Sequence, residues 1–157
     1  MSEFVHLHLH TQYSVLDGAI KPEQLVKRAK SFGHSAITMT DHGNMHGAVE
    51  FYNLARKENL KPIIGCEVYI TTGSRHERTM KAQGGPQTCH LTLLSMNMQG
   101  YRNLCRLVTH SYLEGFYFKP RIDHELLAEF NEGLICLSGC VSGEFGSFAR
   151  SGDLDGA

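Results

Sequence analysis

The sequence predicts an α/β fold, and three observations carry that prediction. Runs of strand character alternate with amphipathic helical stretches along the chain. Residues able to do chemistry recur where the strand candidates end, at His10, Asp41-His42 and Cys140, which is where barrels and doubly wound sheets build their sites. The third strand candidate is almost continuously apolar, as a strand covered on both faces should be.

The first candidate, Phe4-Val-His-Leu-His-Leu-His10, alternates imidazole and aliphatic side chains. In a strand, His6, His8 and His10 project from one face while Val5, Leu7 and Leu9 pack on the other. Lys21-Pro22 then opens a helix through Leu25, Val26, Ala29 and Phe32, stopped by Gly33. Ser35 to Thr40 reads as a second strand ending at Asp41-His42-Gly43. A helix over Met45 to Asn59 follows, with Ala48, Val49, Phe51, Tyr52, Leu54 and Ala55 as its buried stripe. Pro62 to Ile70 is the apolar third strand, and Gly73 to Thr88 a polar loop. His90 to Met96 is a fourth strand, and Gln99 to Leu113 an amphipathic helix through Tyr101, Leu104, Leu107 and Val108. Asp123 is placed to cap a short helix, Glu125 to Phe130. Gly133 to Ser138 makes a fifth strand, and Glu144 to Arg150 begins another helix. Five alternations predict parallel βαβ units. A closed eight-stranded barrel takes roughly 250 residues, so 157 residues with five strands read as part of a barrel.

Fifteen Lys and Arg against sixteen Asp and Glu give a net charge of -1, which does not describe a free-standing nucleic-acid binder. Ten histidines point instead to metal or acid–base chemistry. The five cysteines, Cys66, Cys89, Cys105, Cys136 and Cys140, include no C-x-x-C pair, which argues against a disulfide framework or a zinc ribbon. Cys66, Cys89, Cys105 and Cys136 read as core fillers. No leader or membrane-length apolar stretch is evident, so a cytoplasmic location is expected, with no membrane partner. Three imidazoles gathered on one strand face make a metal site the leading reading of the first segment.

Three motifs in order extend that reading: His8-Leu-His10-Thr-Gln-Tyr-Ser-Val-Leu-Asp17-Gly, then Thr40-Asp-His42-Gly-Asn-Met-His-Gly-Ala, then Gly65-Cys-Glu67-Val-Tyr. They closely resemble the opening motifs of the PHP (polymerase and histidinol phosphatase) domain family. Lys61-Pro-Ile-Ile-Gly65, Gly100-Tyr-Arg-Asn-Leu104, Tyr112-Leu-Glu-Gly-Phe116 and Lys119-Pro-Arg-Ile-Asp123 resemble its replicative branch, the N-terminal domain of bacterial DNA polymerase III alpha subunits. The resemblance implies a distorted (βα)7 barrel holding up to three metal ions at strand C-termini. Here that barrel would be incomplete: residues 1–157 would form a PHP domain of about five βα units that stops before the family's last ligands, an Asp-x-His pair. No polymerase core is expected within these residues.

Carried over by position, the implied metal ligands are His8, His10, Asp17, His42, Glu67, His90 and Cys140, with Glu67, His10 and Asp17 carrying the chemistry. His6 falls where stand-alone members often have Asp and is expected to orient a ligand, as is Asp41. The mixed imidazole, carboxylate and thiolate set suits zinc, with manganese or iron as alternatives. Such ions acidify bound water and clamp phosphate-ester oxygens, while Arg75, Arg78, Lys81, Lys119 and Arg121 are candidates to neutralise substrate phosphates. The implied function is a metal-dependent phosphoesterase of 3′-5′ exonuclease type within a DNA polymerase. Its partners would be DNA and other polymerase III holoenzyme subunits, among them a proofreading exonuclease subunit. Two alternatives are a non-catalytic metal-stabilised scaffold for that subunit and a stand-alone phosphatase of histidinol-phosphate type.

Overall fold

The segment Lys61–Thr71 is the axis of the sheet, and the rest of the fold is arranged on its two edges. In the computed structural model, which describes residues 4–80, 83 and 87–153, the order is α1 (Pro22–Ser31), β1 (Ala36–Met39), α2 (Ala48–Lys57), β2 (Lys61–Thr71), β3 (Thr88–Ser95), α3 (Met98–Leu113), β4 (Arg121–Ile122), α4 (His124–Glu129), β5 (Leu134–Leu137) and α5 (Glu144–Ser151). The sheet runs β1-β2-β3-β5, with β4 also paired to β2. Because β3 occupies one edge of β2 over Gly65 to Thr71, β1 and then β4 must share the other, and both run parallel to β2. Asp123 caps α4 by accepting the Leu126 N–H, as its position in the sequence predicts.

Three expectations need correction. The fold is mixed rather than parallel, since β3 is antiparallel to both β2 and β5. The polar segment after β2 has no apolar periodicity with which to build a crossover helix, and without one a returning strand pairs antiparallel. The first histidine run is not a strand. It lies beside β1 through the Thr40 N–H donating to the Leu9 carbonyl (2.8 Å), but the return bond goes from the Leu9 N–H to the Thr40 hydroxyl, which interrupts the ladder. Leu9 packs on the core while Leu7 stays exposed. Finally, α2 begins later than predicted. Asn44 donates to the carbonyls of Tyr13 and His42 and accepts from the His46 N–H, so residues 43–47 form a turn. The helix then buries Ala48, Phe51 and Ala55 and leaves Val49 and Tyr52 exposed.

Two apolar clusters hold the layers together. One joins α1, α2 and β1 around Phe51, Ile37 and Met39, and the other joins β2, β3, α3 and α4 around Leu93, Leu104 and Leu107. Cys66 and Cys89 fill the second cluster, whereas Cys136 is exposed on β5, contrary to its expected core role. Among the described residues, no helix is long and apolar enough to cross a membrane.

The arginines expected to face phosphate are used to pin the loop after β2. Arg75 pairs with Glu114 (2.8 Å) and Asp123 (3.0 Å), and Arg78 donates to the Phe116 and Glu114 carbonyls. Arg121 is buried and donates to the carbonyls of Gly115, Arg75 and Glu77. Lys81 lies outside the described residues. Burial pushes the Asp123 carboxyl up, but the Arg75 and Leu126 N–H groups and the Arg75 guanidinium outweigh it and hold it below its ordinary value. A carboxylate depressed by folding adds stability that is present above its unfolded value, near 4, and lost as the pH falls through the folded one. Arg75→Ala should therefore cost about 2–4 kcal/mol in denaturant unfolding at neutral pH and flatten the loss of stability on acidification.

Candidate metal centre

Glu67 organises the site. It sits inside β2, with its backbone held by the turn after β1: the Glu67 N–H donates to the Asp41 carbonyl (3.0 Å) and the Gly43 N–H to the Glu67 carbonyl (2.8 Å). This isolated parallel bridge sets His42 beside Glu67. Gly43 has φ +60, and a Cβ there would meet Pro120 at 2.9 Å and Tyr69 at 3.0 Å, so the turn accepts only glycine. On the other edge, Tyr69 pairs with His90 and Glu67 with Thr92, so Glu67 and His90 lie diagonally on one face. His90 thus arrives from the start of a strand, not its C-terminus. An antiparallel strand begins where its neighbour ends, which brings it to the same end of the sheet.

Four imidazoles surround this one carboxylate. Glu67 Oε2 meets His8 Nε2 and, at 2.7 Å, His10 Nε2; Oε1 meets His90 Nδ1 at 2.5 Å and lies 3.6 Å from His42 Nδ1. Asp17 completes the set at 3.0 Å from His42 Nε2 and 3.9 Å from His10 Nδ1. Its loop is closed by the Gly18 N–H donating to the Ser14 carbonyl (2.7 Å), at a place where a Cβ would stand 1.8 Å from the Thr11 carbonyl oxygen. Burial raises the Glu67 carboxyl, yet the hydrogen bonds from His90, His8 and His10 and the charge of His42 hold it well below the usual carboxylate range.

The six side chains form three overlapping groups whose ligand atoms lie within 4.8 Å of one another: His8, His10 and Glu67; His10, Asp17 and His42; His42, Glu67 and His90. Two features fit cations better than protons. His8 Nε2 and His10 Nε2 stand 3.1 Å apart while aimed at the same carboxylate oxygen. His42 Nδ1 is buried without a hydrogen-bond partner, a vacant donor position facing Glu67. The residues therefore fit metal binding.

Two sequence-derived assignments fall away from this cluster. Cys140 lies exposed in the turn after β5, outside all three groups. That turn brings the backbone of Gly139 (φ +76) against the His90 carbonyl and leaves the thiol facing solvent. His6 turns instead to Phe4 and His34, with ring centroids 4.7 and 5.8 Å away. Asp41 instead ties the segment that carries His10 and Asp17, accepting from the Thr11 N–H (2.6 Å), the Thr11 hydroxyl (2.8 Å) and the Ser14 hydroxyl (2.7 Å). Thr11 and Ser14 were not predicted, although a Thr and a Ser directly after the H-x-H run were a usable signal. Tyr69, edge-on to His90 at 4.9 Å and stacked near His42 at 6.2 Å, was missed too.

A mixed sheet bearing overlapping imidazole–carboxylate groups defines an α/β domain whose clustered residues fit metal ions. Residues 6–157 match the PHP domain model, and the chain belongs to that family. It is 52% identical over 145 residues to the DNA polymerase III subunit alpha of Aquifex aeolicus, covering 90% of this chain and 12% of that protein. The same subunit of Deinococcus radiodurans is 50% identical over 161 residues, covering 99% and 12%, and that of Thermus aquaticus 49% over 155 residues, covering 98% and 13%. The chain thus spans about an eighth of the length of these relatives. A solved protein of Bifidobacterium adolescentis shares the fold with TM-score 0.50 at 17% identity, over 71% of this chain and 34% of that one.

Proposed function

We propose that His8, His10, Asp17, His42, Glu67 and His90 hold transition-metal ions, and that the loaded site hydrolyses the terminal 3′ phosphodiester of a DNA strand. The carrying observation is the buried Glu67 carboxylate ringed by four imidazoles, with His42 Nδ1 left unpartnered. Imidazole with carboxylate suits zinc, and also manganese or iron. When bound, such ions supply Lewis acidity, making water acidic and offsetting phosphate charge. Glu67 is buried and shared by two of the groups, so its role is to fix their spacing. Asp17 is exposed at the rim and hydrogen-bonded to His42, where it can accept a proton from attacking water.

Half-identity to polymerase III alpha subunits supports assigning this domain to a replicative polymerase. It would act on DNA beside the other holoenzyme subunits in the bacterial cytoplasm. The same similarity disfavours a stand-alone phosphatase. The test uses the intact natural chain that carries this domain. After dialysis it should retain zinc, manganese or iron by elemental analysis, and His8→Ala with His42→Ala should lose most of it. Chelation should abolish 3′ excision, and zinc or manganese should restore it. Excision that persists through chelation, or equal metal in the double variant, overturns the assignment.

A further inference from the structure

Of the five cations that the sequence offers to a substrate, three are consumed by the fold. Arg75, Arg78 and Arg121 bind carboxylates and carbonyls around the loop after β2. Lys119 is different. Among the described residues its side chain meets no carboxylate, and its ammonium stands 5.1 Å from the centroid of the Tyr69 ring. That ring is itself in contact with His42 and His90. The position is built: Phe118 adopts φ +58, the Tyr117 N–H donates to the Lys119 carbonyl (3.0 Å), and Pro120 packs on Gly43. A non-glycine residue in left-handed backbone is unfavourable, and here it precedes Lys119, whose ammonium lies over the Tyr69 ring.

Lys119 also lines a cleft of about 410 Å³ together with Asp17, His42 and His90, a volume within the range of small-ligand sites. The cleft also carries an apolar and unusually bare lining. Val15 and Leu16 are 88% and 89% exposed, and Tyr112, which lines the same cleft, is half-exposed. A lone phosphate would use the cation and leave this wall without a partner. A nucleotide uses both, with its phosphate on the ammonium and its base on the aromatic and aliphatic surface.

Resting on the phosphodiesterase reading above, we infer that Lys119 is the phosphate-binding residue of this site and that the Val15–Leu16–Tyr112 wall receives the base, making the ligand a single-stranded terminal nucleotide. The test measures binding of dTMP and of inorganic phosphate to the metal-loaded intact protein by equilibrium dialysis, alongside excision kinetics on a single-stranded oligonucleotide. Lys119→Ala should weaken both ligands by about tenfold at unchanged metal content and melting temperature, and Lys119→Arg should recover most of that loss. Leu16→Ser should weaken dTMP severalfold and leave inorganic phosphate unchanged. In kinetics, Lys119→Ala should raise KM and flatten the loss of activity with salt. Unchanged dTMP binding in Lys119→Ala overturns the phosphate assignment, and equal weakening of both ligands by Leu16→Ser overturns the base wall. If dTMP binds through Lys119 while the wild-type protein excises nothing, this inference stands and the excision reading falls.

Discussion

Glu67→Ala should depress 3′ excision by the intact protein by orders of magnitude while leaving nucleotide addition much less affected. Glu67 is the one carboxylate shared by the His8–His10 and His42–His90 groups, and it is almost fully buried between them. Alanine removes the charge that offsets converging cations and also the atom pair that fixes their spacing, so both metal affinity and rate should fall. Glu67→Gln separates the two contributions. The amide keeps the side-chain volume but carries no charge, and its nitrogen cannot ligate as a carboxylate oxygen does. It should therefore preserve the melting temperature better than alanine while losing excision almost as completely. The comparison belongs in one preparation beside a polymerase-dead form. If excision survives Glu67→Ala and disappears only when an associated nuclease is removed, the domain is a scaffold for that nuclease.

The site was more legible in the sequence than the sheet. His8, His10, Asp17, His42, Glu67 and His90 converge; the first five sit in local motifs whose order along the chain follows the order of elements, and His90 came by position in the family. Strand direction has no such local signature. Whether the chain after β2 returns parallel or antiparallel depends on whether 73–87 builds a helix, and that segment's polarity was visible while its consequence was not drawn. The alternating His run misled for a related reason. Period-two patterning describes extended backbone, yet a strand needs a ladder, and the Thr40 hydroxyl breaks it. Cys140 was placed by motif position alone, with no account of the glycine turn that precedes it. Three of the phosphate-binding candidates failed by charge counting: Arg75, Arg78 and Arg121 carry the charge, while the carboxylate and carbonyls that engage them lie up to 48 residues away.

The Asp41 network offers a way to separate metal binding from stability. Asp41, Thr11 and Ser14 are almost wholly buried, and the one carboxylate accepts three hydrogen bonds from the segment that carries His10 and Asp17. Asp41→Ala strands two hydroxyls and a backbone N–H, which should cost roughly 3–5 kcal/mol in denaturant unfolding. Asp41→Asn keeps one acceptor and should cost about half as much. Phe51→Ala is the matched control. Phe51 is fully buried in the α1–α2–β1 cluster, to which none of the six proposed ligands belongs, and its truncation should cost a similar ~3–5 kcal/mol through the cavity it leaves. The two variants should then diverge in metal titration under native conditions. Asp41→Ala frees the loop that sets His10 against Glu67 and should weaken metal binding by about 10- to 100-fold, whereas Phe51→Ala should bind with near wild-type affinity as long as it is folded. Equal loss of metal from two equally destabilised variants would reduce Asp41 to a structural carboxylate, and the placement of the histidines would then have to come from β2 and the His42–Glu67 bridge alone.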